Sequence, residues 1–458
     1  MVRPWALAAP IAVLLVTLPL LRPLRHPDPT LVSDDEQARL ATIQAIVEHH
    51  TLAIERTSFR ATRCLVIKPN GHWYSDQSPV MSALLSGPYW VMYHCGLTLD
   101  DDPVLAEYLL TLLGVTLPVA FATGLFYRMG RLFELRRPYR AALALAAVVG
   151  SGWISYATVL NAGAAAAALV VMGCACLVQC ILTGRRNAAL AWACLGGLCI
   201  TLAAVYDVTA AVFVPAMLAV ICVFRWSVAH RAAGVALYAV GASLPLLLYG
   251  GLNRLSAGDL PSSVLRSDVT PNVIVAATHA GQGHRRSDPE TDDDPPTMWQ
   301  MIASGIGRVF AVLLGGHGVF SHFPVIVFGL IGLVTVMHRH WPATTKVLAL
   351  ATAVAALAIV GWTSSRLEWQ DAMFANRWFI VFLPLTLFWA GAWLRRSHSR
   401  ATWAVAALAL GFSALVAIVG ATDPQPRDGY ARYSAAQAFI HLIQPPEPHR
   451  PADMVANR

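Results

Sequence analysis

Three adjacent carboxylates, Asp34, Asp35 and Glu36, follow Ser33 shortly after a long apolar segment. A carboxylate within hydrogen-bond reach of a hydroxyl can act as a general base, and three acids in a row leave the register of that base open by one residue. Acids also suit the first turn of a helix, where the macrodipole favours negative charge, and Ser33 with Glu36 has the form of a capping box. Cap and chemistry are compatible. Downstream, Asn70-Gly71-His72-Trp73-Tyr74-Ser75-Asp76-Gln77-Ser78-Pro79 concentrates polar groups. Within it His72, Tyr74 and Asp76 suit contacts to a polar substrate or the positioning of the base, although Trp73 and Tyr74 equally suit an interfacial aromatic belt.

A base that generates negative charge needs a cation on the other side of the reacting bond. Arg377, with Asn376 beside it, supplies a guanidinium suited to phosphate, with Arg366 in the same connection as second choice; an interfacial arginine can also simply reach for the head groups. His317 and His322 flank the turn Gly315-Gly316-His317-Gly318 and suit phosphate or metal binding, or plain interfacial polarity. Asp207, in a short turn between Tyr206 and Thr209, suits the lining of a substrate pocket, a divalent cation or a solvated turn. The run Asp292-Asp293-Asp294 lies among prolines and mixed charge and is expected to be a flexible segment. No cysteine spacing fits zinc; a divalent cation stays open, and its ligands cannot be named.

These groups must be positioned by a scaffold built for lipid. Of 458 residues 56% are hydrophobic and 13% charged, which excludes an ordinary soluble domain. Apolar runs of about 20 residues, the length that spans a bilayer as a helix, recur at about 5–22, 104–127, 141–158, 162–183, 188–206, 208–224, 232–250, 323–337, 346–362, 378–394 and 402–420. The expected fold is an all-α polytopic membrane protein with about eleven transmembrane helices and juxtamembrane helices on one face. Residues 1–422 form the membrane domain and 423–458 a short proline-rich tail, with a surface helix expected near Tyr433–Ile443.

Arginines fix the orientation. With Arg3 and the N-terminus cytoplasmic, the inside loops carry Arg131, Arg136, Arg137, Arg140, Arg185, Arg186, Arg225, Arg231, Arg339, Lys346, Arg395, Arg396 and Arg400. Two long loops, about 23–103 and 251–322, then face outward with the tail. The net charge of +7 reflects these arginines, and nothing points to nucleic acid. In the first outer loop, helices are expected from about Asp34 to His49 and from Ser78-Pro79 to near Gly96, both at the membrane surface. Cys64 and Cys95 lie outside the helices that carry the other six cysteines, which leaves a bridge between them open.

The acidic loop followed by Asn-Gly-His-Trp-Tyr-Ser-Asp-Gln-Ser-Pro resembles the GT-C superfamily of membrane glycosyltransferases, and more narrowly its bacterial protein-mannosyltransferase and aminoarabinose-transferase branch. Three later segments are similar to that family's in order: Leu247-Leu248-Tyr249-Gly250-Gly251-Leu252-Asn253, Gly315 to Pro324, and Asn376-Arg377-Trp378 through Pro384-Leu385. Gln77 stands where the family commonly has lysine. The resemblance implies inverting transfer of a sugar from a polyprenyl-phosphate donor to an acceptor hydroxyl on a lipid or another cell-envelope molecule, at the outer face of the cytoplasmic membrane. It implies Asp35 as base, with Asp34 or Glu36 in its place if the register differs, and Arg377 on the phosphate. The rival classes are a transporter or lipid flippase and a non-catalytic lipid-binding protein of the same fold; an ion-coupled carrier is expected to hold charges within its helices, whose central portions here have none.

Overall fold

Apolar runs become helices because a buried or lipid-facing backbone must satisfy its own hydrogen bonds. The computed structural model of the protein describes residues 4–25, 33–59, 65–67, 70–183, 185–223, 228–256, 298–316, 318–365, 375, 377–396, 398–422 and 424. After α1 (Pro4–Thr17) and the short α2 (Arg22–Arg25) come α3 (Asp34–Glu48), a hairpin of β1 (Leu65–Ile67) and β2 (Trp73–Ser75), and α4 (Pro79–His94). The hairpin is antiparallel with Val66 opposite Tyr74. Next are α5 (Pro103–Thr111), α6 (Leu117–Met129), α7 (Arg137–Val149), α8 (Trp153–Tyr156), α9 (Ala162–Leu182), α10 (Arg186–Tyr206), α11 (Phe213–Cys222) and α12 (Val228–Leu255). The last group is α13 (Met298–Leu314), α14 (Val319–His322), α15 (Ile326–His338), α16 (Ala343–Ser365), α17 (Leu383–Phe388), α18 (Ala390–Leu394) and α19 (Arg400–Gly420).

The protein is an all-α polytopic membrane protein, as expected. Among the described residues seven helical stretches are long and apolar enough to cross a membrane, and a bent pair ending in α15 would make eight. The other apolar runs break into shorter pieces. Run 141–158 stops at Val149 because Gly150-Ser151-Gly152 intervenes, with Gly152 at φ +70° against the Phe323 ring. Run 378–394 becomes a 3-10 turn at Arg377–Phe379 followed by α17 and α18, and run 208–224 opens as a 3-10 turn before α11. At about 1.5 Å per residue none of these regular pieces reaches across about 30 Å of hydrocarbon. Instead Phe379, Phe388 and Trp389 are fully buried in the bundle, where hydropathy alone cannot tell a core helix from a span. Helices α12 and α19 turn apolar side chains outward, as a lipid-facing surface requires, with Leu247 and Leu408 71% and 74% exposed.

The boundaries of helix α3 are as expected, and Ala38, Leu40, Ala41, Thr42, Ile43, Gln44 and Ala45 are all buried, so protein encloses it on most sides, not one apolar face alone. Part of the second outer loop, expected over about 251–322, is helical, as the end of α12 and all of α13; residues 257–297, including Asp292 to Asp294, lie outside the described residues, as do the tail helix, Arg366 and the Cys64 partner of Cys95.

Small residues set the helix spacing. Where α10 crosses α12, Gly197 lies against the Tyr238 carbonyl and Gly241 against the Cys194 carbonyl, so a Cβ at either place would strike backbone that cannot step aside. Gly241→Val should therefore cost roughly 1–3 kcal/mol. Thermal unfolding in detergent measures this, with Gly250→Ala, which meets open space on the same helix, as the unaffected control.

The bundle also sorts charge. Helices α1, α10, α12 and α19 run between one end, which carries α3 and the hairpin, and another rich in arginine. Among the described residues all acids except Glu134 lie at the first end.

Candidate active site

At the α3 end, a cavity of about 250 Å3 opens between α9, α10, α12 and the turn before α17. Its lining includes Arg39, Gln77, Asn161, Asp207, Tyr249 and Arg377. Gln77, Asn161, Asp207 and Arg377 lie at or beside helix termini, while Arg39 and Tyr249 project from within α3 and α12. Asn161 is the N-cap of α9 and accepts from the Ala164 amide at 2.9 Å. Asp207 ends α10 and accepts from both the amide and the hydroxyl of Thr209, at 2.9 and 2.7 Å, so it closes one helix and starts the next turn. Ser78 does not cap α4 through its side chain; its hydroxyl donates to the Val205 carbonyl and ties the start of α4 to the end of α10.

The central contact joins residues 342 positions apart: Arg377 Nη1 donates to Asp35 Oδ2 in an ion pair. The two side chains are 25% and 10% exposed, so the pair is largely desolvated, and its Arg377 lines the cavity. The Arg377 guanidinium also lies over the Trp378 ring, with Cζ 4.5 Å from its centroid. Burial opposes its charge, but Asp35 and, further off, Asp207 outweigh that and hold its pKa above the usual value.

Arg39 is one helical turn from Asp35 and therefore on the same face. It donates to the Asp35 and Leu160 carbonyls at 3.2 and 3.3 Å and to Gln77 Oε1 at 2.9 Å. Gln77 in turn donates to Asp76 Oδ1 at 2.9 Å and, more loosely, to Asp35 Oδ1 at 3.4 Å. The amide at position 77 is thus a neutral bridge between a guanidinium and two carboxylates. The sequence missed Arg39 and Asn161 as site residues; the i to i+4 spacing from Asp35 and the Asn161 cap before an alanine-rich run were their signals.

Glu36 points elsewhere. It is fully buried, paired with Arg22, and accepts from the Leu160 amide at 2.7 Å and the Ser33 hydroxyl at 3.0 Å. Ser33 therefore serves Glu36 and makes no side-chain cap, which corrects the capping box. Glu36 fastens α3 to the chain before α9 and does not reach the cavity. His72 is also away from it, 57% exposed and 2.6 Å from Glu55. Tyr74 is buried in the hairpin, its hydroxyl accepting from Asn70 at 2.8 Å. His322 is buried, with Nδ1 2.9 Å from the Gly318 carbonyl. The Asp34 side chain, Asn376 and His317 lie outside the described residues. Among the described residues no cluster of three metal-ligating side chains occurs.

Asp76 adjoins the pair. Burial first, and then the charge of Asp35, push its carboxyl up to about 6. An acid whose folded pKa is raised binds its proton more tightly in the folded state, so its contribution to stability is complete below about pH 4 and is lost as pH rises through about 6. Asp76→Asn should remove that loss. The variant's thermal midpoint should rise relative to wild type between pH 4 and pH 7, measured as the difference at each pH; a constant difference would contradict the shift.

No family model matches the chain, and no curated protein matches it. Among solved structures it is similar to ArnT from Cupriavidus metallidurans bound to undecaprenyl phosphate, with TM-score 0.48 and 16% identity over 90% of this chain and 63% of that one. The apo state of that protein gives 0.48 and 14% over 88% and 62%. The Archaeoglobus fulgidus oligosaccharyltransferase, in complex with Zn and sulfate, gives 0.47 and 13% over 94% and 53%. The chain thus spans less than two thirds of the length of each. Identity this low leaves the chemistry to be argued from this chain's own residues.

Proposed function

We propose that this protein is a membrane glycosyltransferase that moves a sugar from a polyprenyl-phosphate donor to an acceptor hydroxyl. The observation that carries the reading is the Asp35–Arg377 pair, whose guanidinium lines the cavity, since it sets a carboxylate beside the cation that a leaving phosphate requires. In the reaction Asp35 takes the proton of the acceptor hydroxyl, whose oxygen attacks the anomeric carbon from the face opposite the phosphate and inverts it. The bond to the phosphate oxygen breaks, and Arg377, with Arg39 behind it, carries the charge that develops there. Asp207, Asn161 and Tyr249 line the space left for the sugar.

Arg377 holds Asp35 through Nη1 alone, and its remaining N–H groups can meet a phosphate, so one guanidinium couples the base to the leaving group.

The charge sorting supports an outward-facing site: arginines gather at the opposite end, as cytoplasmic loops of the inner membrane require, which puts the N-terminus inside. The acceptor is then a lipid or another cell-envelope molecule. Among the described residues the buried charges Arg22, Asp35, Glu36, Arg39 and Glu107 lie at the α3 end and Arg140 at the arginine-rich end, rather than along a path through the membrane, which favours transfer over transport. A transfer assay with a panel of polyprenyl-phosphate sugars tests the reading. Release of polyprenyl phosphate with acceptor glycosylation is expected from one of them, and release from none would refute it.

A further inference from the structure

At the arginine-rich end of the bundle, a second cavity of about 550 Å3 opens where α15 ends, α16 begins and α18 ends. Its wall carries His338, Arg339, His340, Trp341, Arg395 and Arg396. Arg395 is already committed: it donates to Glu134 Oε2 at 2.6 Å and lies over the Trp341 ring, 5.2 Å from its centroid. Arg339 and Arg396 have neither a carboxylate nor a side-chain hydrogen-bond partner among the described residues. Three guanidiniums therefore face one cavity, and Glu134 is the single acid at this end among those residues.

Positive-inside placement accounts for arginines at this end, but it does not require them to converge. Arg136 and Arg137, at the same end, do not line this cavity. Guanidiniums that share a concavity repel one another, and an anion between them relieves this. The guanidinium fork matches the oxygens of phosphate. At this depth, where candidate membrane spans end and begin, the phosphate within reach is that of the bilayer, and an indole such as Trp341 sits well at the level of lipid head groups.

We propose that this cavity binds the phosphate headgroup of an anionic membrane lipid, with Arg339 and Arg396 as its ligands and Trp341 against the glycerol backbone. The site is independent of the transfer reaction and rests only on the bundle spanning a membrane.

Native mass spectrometry of the full chain in non-ionic detergent, supplied with phosphatidylglycerol, tests it. Wild type should retain the lipid. The variant Arg339→Gln/Arg396→Gln should hold it about thirty-fold more weakly, from roughly five-fold for each arginine beside a lipid phosphate. Arg136→Gln/Arg137→Gln, which removes the same charge from exposed positions at the same end, should bind as wild type does. Phosphatidylcholine should not distinguish wild type from the first variant. Both variants should unfold at the wild-type temperature without lipid, so a difference in binding reads the site and not the fold. Wild-type retention by Arg339→Gln/Arg396→Gln, or equal loss in the control pair, overturns the site. Thermal protection by inorganic phosphate without protection by phosphatidylglycerol overturns the lipid assignment.

Discussion

Asp35→Asn should lower the turnover of sugar transfer by about 10²–10⁴-fold, the range that a positioned general base supplies. Asparagine has nearly the shape of aspartate and can still accept from Arg377 and Gln77, so the variant should fold and reach wild-type abundance. It cannot take the acceptor's proton. The same change weakens the hold on Arg377, whose guanidinium then meets less competition when a phosphate arrives. The expected signature is therefore a collapsed kcat with a donor KM that stays level or falls. A structural role for Asp35 would instead lower the thermal midpoint and raise KM. Turnover within a few-fold of wild type would move the base to another carboxylate, Asp207 in the cavity wall or Asp76 behind Gln77.

Glu36→Gln, one position along, should do the reverse. Its carboxylate is fully buried against Arg22, which is itself 3% exposed. Removing one partner of such a pair strands the other charge in a poor solvent and costs roughly 3–5 kcal/mol. The thermal midpoint in detergent should drop steeply while turnover per folded molecule is kept. Arg22→Met/Glu36→Gln should recover much of the loss, because replacing both charges removes the burial penalty along with the attraction. Equal stability of Glu36→Gln and wild type would contradict the burial of the pair.

The contrast between Asp35 and Glu36 shows where sequence reasoning stopped. Successive residues of an α-helix point about 100° apart, so three acids in a row cannot all face one cavity. The sequence placed the helix correctly from Asp34 and named all three acids; it did not contain the rotation of that helix about its axis. That rotation is set by contacts with Leu160 and Arg22 on one side and Arg377 on the other, none of which is local to α3. His72 shows the same limit: it belongs to the same polar segment as Gln77 and Ser78, but it sits near the hairpin turn, meets Glu55 and does not line the cavity.

Hydropathy and charge order were legible because they are nearly additive along the chain. Each apolar residue contributes its own transfer free energy, and a window of about 20 sums them, so the membrane class and the runs at 162–183, 188–206 and 402–420 followed directly. The sums failed where a run lies inside the bundle, as at 378–394, since burial in protein and burial in lipid have the same apolar signature. The pairing of Asp35 with Arg377 was beyond any sum, because it depends on how closely helices approach, as at Gly197 and Gly241, and which faces they present. The sequence by itself determined that this is a helical membrane protein with carboxylates toward one end and arginines gathered at the other. The tertiary structure decided which carboxylate meets which guanidinium, because that choice is made by helix rotation and packing, which no local stretch of residues contains.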